Sequence, residues 1–218
     1  MTEIENKNYP NVRQSFGIVG IIFLVMVLLG VPFIIIFQRF FDKDTLVLII
    51  YSFAVGVSFW IVNSIRKRKI GISTFNFRIE NKRIVPLVII ASTALLFGIV
   101  VPIEGLVVAL FPIPAILNTP TIPDFSTFLM IVIAAPVLEE LIFRGIMLDG
   151  LLKIFSPAKA ILISSALFML THFDPWQFVS AFLGGVFYGW VYYRTKTVSF
   201  TIIMHAAAYL SNLLVKIG

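Results

Sequence analysis

Apolar residues fill the chain in long runs broken by short polar stretches, with little of the close alternation that marks half-buried strands. Phe16–Phe37, Leu46–Ile65 and Val85–Phe111 are three such runs, and a helix crosses a bilayer core with about 20 apolar residues. A proline-rich stretch follows (Pro112, Pro114, Pro120, Pro123), then a fourth run from about Phe125 to Leu152. Ser156–Pro157 separates it from a fifth that ends near His172. Asp174–Pro175 breaks the chain before a sixth, Trp176–Tyr193, and Val198–Ile217 is the seventh. No internal repeat, low-complexity tract or second domain is visible. The pattern predicts an all-α, polytopic transmembrane helix bundle of about seven spans, with a tail over 1–15 and one transmembrane domain over 16–218. The first run has 22 residues and no small-residue cleavage site after it, so it reads as a span and not as a signal peptide.

Composition supports the same class. Of 218 residues, 59% are hydrophobic and 13% charged, against about 45–50% and a quarter in soluble domains. A chain of this length cannot bury that excess in one water-soluble core, because small domains keep a large surface. The excess faces lipid, which excludes a soluble enzyme, a nucleic-acid-binding domain and a secreted disulfide scaffold. Cysteine is absent, so thiolate metal sites are excluded too. The net charge of +6 comes from loops: with seven spans, 13 of the 17 Lys and Arg lie on one side, including Lys7, Arg13 and the cluster Arg66–Arg83. Arg39, Lys43 and Lys216 lie on the other, and Arg144 lies inside a span. Lys and Arg gather in cytoplasmic loops, so the N-terminus is expected in the cytoplasm and the C-terminus outside.

Charges inside spans cost roughly 2.5–3.5 kcal/mol each on insertion scales and tend to stay only where they pair, line a cavity or serve function. The fourth run holds three: Glu139, Glu140 and Arg144, in Ala-Pro-Val-Leu-Glu-Glu-Leu-Ile-Phe-Arg-Gly. Glu140 and Arg144 are i,i+4 and share a helix face. Glu139 lies about 100° further round, near enough to reach the same cavity. Two adjacent carboxylates cannot both ionise cheaply in a low-dielectric site, whereas a guanidinium favours the charged form. One carboxylate is therefore expected ionised and oriented, the other open to proton exchange. A structural ion pair would need only one Glu.

The two histidines both lie in the apolar C-terminal half. His172 closes the fifth run, and His205 lies inside the seventh with Tyr209 at i+4 and Asn212 at i+7 on its face. Carboxylate, imidazole and amide are what water activation and oxyanion stabilisation require, so the set reads as hydrolytic. Ser164, Ser165 and Ser211 sit in no Gly-x-Ser-x-Gly turn, and hydroxyls in membrane helices commonly bond their own or neighbouring helices. Zinc remains an option, because Glu139, His172 and His205 could supply three ligands, although no His-Glu-x-x-His motif is present. Gly185-x-x-x-Gly189 reads as close helix packing. Trp176, Trp190, Tyr192 and Tyr193 read as an interfacial belt, and Glu104 as a headgroup contact.

Glu139-Glu140-x-x-x-Arg144, Phe168-x-x-x-His172, Gly185-x-x-x-Gly189 with Arg194-Thr195, and His205 together resemble the CPBP (Abi) family of intramembrane proteases. That family includes type II CAAX prenyl endopeptidases and bacterial bacteriocin-processing or immunity proteins. The resemblance covers roughly 125–214 and leaves the first three runs matched only in hydrophobicity. It implies peptide-bond hydrolysis within the membrane, on a membrane-embedded or lipid-modified peptide, in a bacterial plasma membrane, with no nucleic-acid partner. Glu139 would activate water with help from His172, Glu140 and Arg144 would orient the site, and His205 would help form the oxyanion hole. The family has been described both as metallo- and as glutamate-type, so the resemblance leaves zinc open. One position departs from it: four residues after the last histidine the family usually has Asn or Asp, and here stands Tyr209. Tyr209 or Asn212 would then support the oxyanion, or the chain is a non-catalytic immunity or membrane-peptide-binding protein. A small proton-relay transporter ranks last, since such proteins often carry inverted repeats.

The topology imposes one more condition. At 1.5 Å per residue, His172 and His205 would stand about 10–15 Å apart in depth if every helix were straight and complete. For them to share a site, the fifth helix must end within the membrane or the sixth must be re-entrant. A broken or short helix is therefore expected beside the site, as membranes tolerate where irregular backbone lines a cavity.

Overall fold

In the computed structural model, which describes residues 10–41, 43–66, 75–112, 125–172 and 177–217, every regular element is a helix. We label them α1 (Val12–Phe37), α2 (Lys43–Arg66), α3 (Lys82–Leu110), α4 (125–151), α5 (Pro157–Leu170), α6 (Phe178–Thr195) and α7 (Val198–Ile217). Each of the seven apolar runs becomes one helix. By length and composition α1, α3 and the Val198–Val215 stretch of α7 can each cross a membrane. The expected break at Asp174–Pro175, the interfacial Trp176, the prolines Pro114, Pro120 and Pro123, and the tail over 1–9 lie outside the described residues.

The chain forms two compact units, Met1–Asn76 with Asp124–Phe155, and Phe77–Pro123 with Ser156–Gly218. The first holds α1, α2 and α4. Helix α1 opens with a capping box: Asn11 Oδ1 accepts from the Gln14 amide at 3.0 Å, and Gln14 Oε1 from the Asn11 amide at 2.9 Å. Two of the donors that a helix start leaves unpaired are thereby satisfied. Packing of α1 on α2 buries Ile18, Ile22 and Leu46. Gly30 makes room for Ile50, whose Cγ2 would lie 2.7 Å from any Cβ added there. Leu24, Leu28, Val31 and Ile35 of α1 are exposed, a contiguous apolar face of the kind that lipid covers. At the end of α4, Gly150 abuts Ser15, and Lys153 Nζ donates to the Pro10 carbonyl at 2.7 Å.

Helices α3 and α4 are not uniformly α-helical. The Val101, Ala135 and Asp149 amides bond the carbonyls of Leu96, Met130 and Arg144, five residues back instead of four. Two of these π-helical stretches have a local cause. A proline ring collides with the carbonyl four residues before it and offers no N–H. For Pro102 that carbonyl is Gly98, within the π stretch Leu96–Val100; for Pro136 it is Val132, within Met130–Ala134. Widening the turn accommodates the ring, as membrane helices do. The third stretch, Leu141–Leu148, contains no proline.

The second unit holds α3, α5, α6 and α7. Its helix α5 has 14 residues, about 21 Å of rise against a hydrocarbon core of about 30 Å; this is the short helix the sequence calls for. Gly185 of α6 sits where an added Cβ would be 3.0 Å from Ser165 Cβ and 3.2 Å from its Cα, so the glycine permits the close approach of α6 to α5. Ser165 Oγ donates back to the Ile161 carbonyl at 2.8 Å. Helix α6 ends at Lys196, which takes a left-handed conformation (φ 54°) while its amide bonds the Tyr192 carbonyl at 2.7 Å. Helix α3 is fastened to α7 at two places, Ser92 Oγ to the Met204 carbonyl at 2.8 Å and Thr93 Oγ1 to Ser211 Oγ at 3.2 Å.

Candidate active site

The polar residues that are expensive in a membrane fall into one group in each unit. In the first, they follow Pro136 on α4. Glu140 is 0% and Arg144 1% exposed, with Arg144 Nη1 3.1 Å from Glu140 Oε1. A pair buried this deeply persists only if each charge is matched, because an uncompensated buried charge costs several kcal/mol. Glu139, the preceding residue, is partly accessible. The Glu140 carboxylate is thus fixed beside Arg144, and Glu139 is the less deeply buried of the two, although its Oε2 is itself buried. Around the pair, Ile142, Phe143, Gly145, Ile146, Met147 and Leu148 are all buried, so the π-helical Leu141–Leu148 carries the arginine within packed protein. Arg144, which sequence reading placed on the Glu140 face of an α-helix, meets Glu140 in a π-helical stretch instead; such stretches are frequent at functional sites.

In the second unit both histidines lie against Phe168. Its ring is edge-on to both, 4.7 Å from the His172 centroid and 5.9 Å from that of His205. The short α5 makes this possible: the helix stops at Leu170, and Thr171 and His172 turn back on it. The Phe168 carbonyl there takes Thr171 Oγ1 at 2.7 Å and His172 Nδ1 at 3.0 Å. A carbonyl oxygen only accepts, so Nδ1 carries a proton, and in the neutral form of the ring the lone pair lies on Nε2. His172 therefore presents a base at Nε2.

His205, 5% exposed, lies in a clamp of three aromatic rings. Besides Phe168, the Tyr188 ring is 5.3 Å away at 36°, and Tyr209 stacks on the imidazole at 5.1 Å and 18°. Tyr209 thus lies flat against the histidine whose oxyanion role it was expected to share. Asn212 is half-buried one turn further along α7 and lies outside this ring cluster. Sequence reading passed over Ser92 and Tyr188. The signals were present: a serine within an almost wholly apolar run, and a phenol on the face that carries Gly184 and Gly185 at i−4 and i−3. Ser165 and Ser211 bond other helix atoms, Ile161 and Thr93, as hydroxyls of membrane helices do.

Zinc can be tested against these residues. Catalytic zinc takes three protein ligands. Within each unit, the described residues include no group of three or more His, Asp or Glu able to hold a metal ion. The first unit's buried carboxylate already has a guanidinium at 3.1 Å.

Comparison with known families now bears on this arrangement. Residues 121–211 match the family described as Rce1-like, type II CAAX prenyl endopeptidase. The match takes in α4, α5, α6 and most of α7, and with them Glu139, Glu140, Arg144, His172, His205 and Tyr209. It bears out the resemblance read from the motifs and supports a membrane protease of the CAAX-processing type. Asn212 lies just beyond its end, and α1 to α3 precede it. No curated protein and no solved structure matches the chain.

Proposed function

We propose that the protein is an intramembrane endopeptidase that cleaves a prenylated or otherwise membrane-tethered peptide with water activated by a carboxylate and an imidazole. The observation that carries this reading is the buried Glu140–Arg144 pair beside the half-buried Glu139, on an apolar helix inside the matched segment. In the proposed reaction Glu139 takes a proton from water as the oxygen attacks the scissile carbonyl. His172 Nε2 accepts a hydrogen bond from the same water. His205 donates to the oxyanion, and the C–N bond then breaks as the proton held by Glu139 passes to the leaving amine. Glu140 and Arg144 hold the backbone that presents Glu139. Acid–base catalysis by a positioned side chain contributes about 10²–10⁴ in rate, and an oxyanion donor about 10²–10³. The excess of Lys and Arg on one side supports a cytoplasmic N-terminus.

A second reading rests on Tyr209, which stands where the family's amide would be and stacks on His205: a non-catalytic protein that binds a membrane peptide. One experiment separates the two. The full chain in liposomes is given fluorogenic peptides ending in a CAAX sequence, farnesylated and unmodified, alongside Glu139→Gln and His172→Ala. Cleavage of the farnesylated peptide by the wild type alone supports the protease. Binding without cleavage, equal in wild type and Glu139→Gln, supports the binder. Cleavage retained in both variants refutes the assignment of these residues.

A further inference from the structure

We propose that Tyr188 is a positioning residue for His205, held in place by Ser92 of α3. The Ser92 hydroxyl has one proton, and at 2.8 Å it goes to the Met204 carbonyl, which cannot donate. Ser92 Oγ is also 3.4 Å from the Tyr188 hydroxyl. With the serine proton already committed, the phenol donates and the serine accepts. The chain of bonds runs Tyr188 to Ser92 to Met204, and Met204 is the residue directly before His205. The Tyr188 ring lies 5.3 Å from the imidazole, which Phe168 and Tyr209 also contact. Ser92 is 1%, Tyr188 5% and Met204 0% exposed, so water does not compete for these bonds. Ser92 thereby governs two things at once, the backbone that carries His205 and the ring that fixes its tilt. Nothing in the family match assigns this role to α3, which lies outside residues 121–211.

The inference rests on the reading in which His205 serves the reaction, and its test has one arm that needs no activity. The chain contains only two histidines, so histidine-labelled full-length protein in micelles gives two sets of ring signals, assigned with His172→Gln. Ser92→Ala and Tyr188→Phe are expected to move the His205 signals and leave those of His172 in place. Thr93→Val removes the neighbouring α3–α7 bond to Ser211 and is expected to move neither. On the farnesylated peptide, Ser92→Ala and Tyr188→Phe each lower kcat about fivefold with KM unchanged, the rate equivalent of one ordinary hydrogen bond. The double variant loses no more than Ser92→Ala alone, since that variant already deletes the one bond that Tyr188→Phe removes. His205 signals that stay fixed in both variants overturn the proposal. So does an equal shift in Thr93→Val, or an unaltered kcat in an enzyme whose signals move. A wild type that cleaves nothing while the signals move as described refutes the protease reading and leaves the positioning of His205 by Tyr188 intact.

Discussion

Arg144→Met removes the guanidinium and keeps an unbranched side chain in its place. Glu140 is left fully buried, its ion-pair partner at 3.1 Å gone. Breaking a buried pair from one side costs about 3–5 kcal/mol, chiefly because one charge remains without compensation. Glu140→Gln breaks the same pair from the other side at similar cost. The double variant Glu140→Gln/Arg144→Met removes both charges, and neutral replacement of a buried pair is often harmless or stabilising. The two singles together should therefore cost far more than the double, with a coupling of about 3 kcal/mol or more. Against a typical stability of about 5–15 kcal/mol, each single brings the protein close to unfolding, and the double rescues it. A control lies at the end of α4, where Asp149 and Lys153 have the same i,i+4 spacing at 3.3 Å but are 35% and 22% exposed. That pair should couple by about 0–1 kcal/mol. The assay is reversible unfolding in mixed micelles, followed by the fluorescence of the three tryptophans. Single-variant losses at positions 140 and 144 that simply add, within about 0.5 kcal/mol, would refute the reasoning.

Three further outcomes follow from other contacts. Gly185→Leu forces a side chain against the Ser165 backbone and should lower stability by about 1–3 kcal/mol, read as a lower unfolding midpoint. Asn11→Ala loses both capping-box bonds and should cost about 1 kcal/mol, with faster amide exchange in the first turn of α1 as its local signature. Under the carboxylate mechanism proposed above, excess strong chelator should leave cleavage unchanged; a rate abolished by chelator and restored by zinc would overturn that mechanism.

The helices were legible because bilayer length and apolar runs constrain each other: all seven runs became helices, and α7 has the predicted bounds, Val198–Ile217. The Glu140–Arg144 pair was legible from spacing alone, since few other partners are possible for charges in an apolar run. The short α5 followed from a condition of depth, not from a local signal, as Leu170 carries no stop residue. What escaped was lateral packing. Ser92 and Tyr188 are 96 residues apart, and no periodicity within either helix shows that the two hydroxyls meet. The π-helical turns were also missed, because prolines announce two of them but nothing in Leu141–Leu148 announces the third. Tyr209 looked like a departure from a motif in one dimension; its ring is a wall of the His205 clamp in three.

The π-helical turn through Arg144 also bears on how this stretch tolerates insertion and deletion. Drawing the Asp149 amide to the carbonyl five residues back winds one surplus residue into the helix, so the angular frame before Glu140 and the frame after Leu148 are out of phase. Removing one residue between them would restore a plain α ladder with the downstream frame kept in place, whereas straightening the stretch at constant residue count would rotate everything downstream by about a quarter turn or more. Asp149, Gly150 and Lys153 would then swing away from Pro10 and Ser15, although every residue type was kept. For this helix, the count of residues is as much a part of the site as their chemistry.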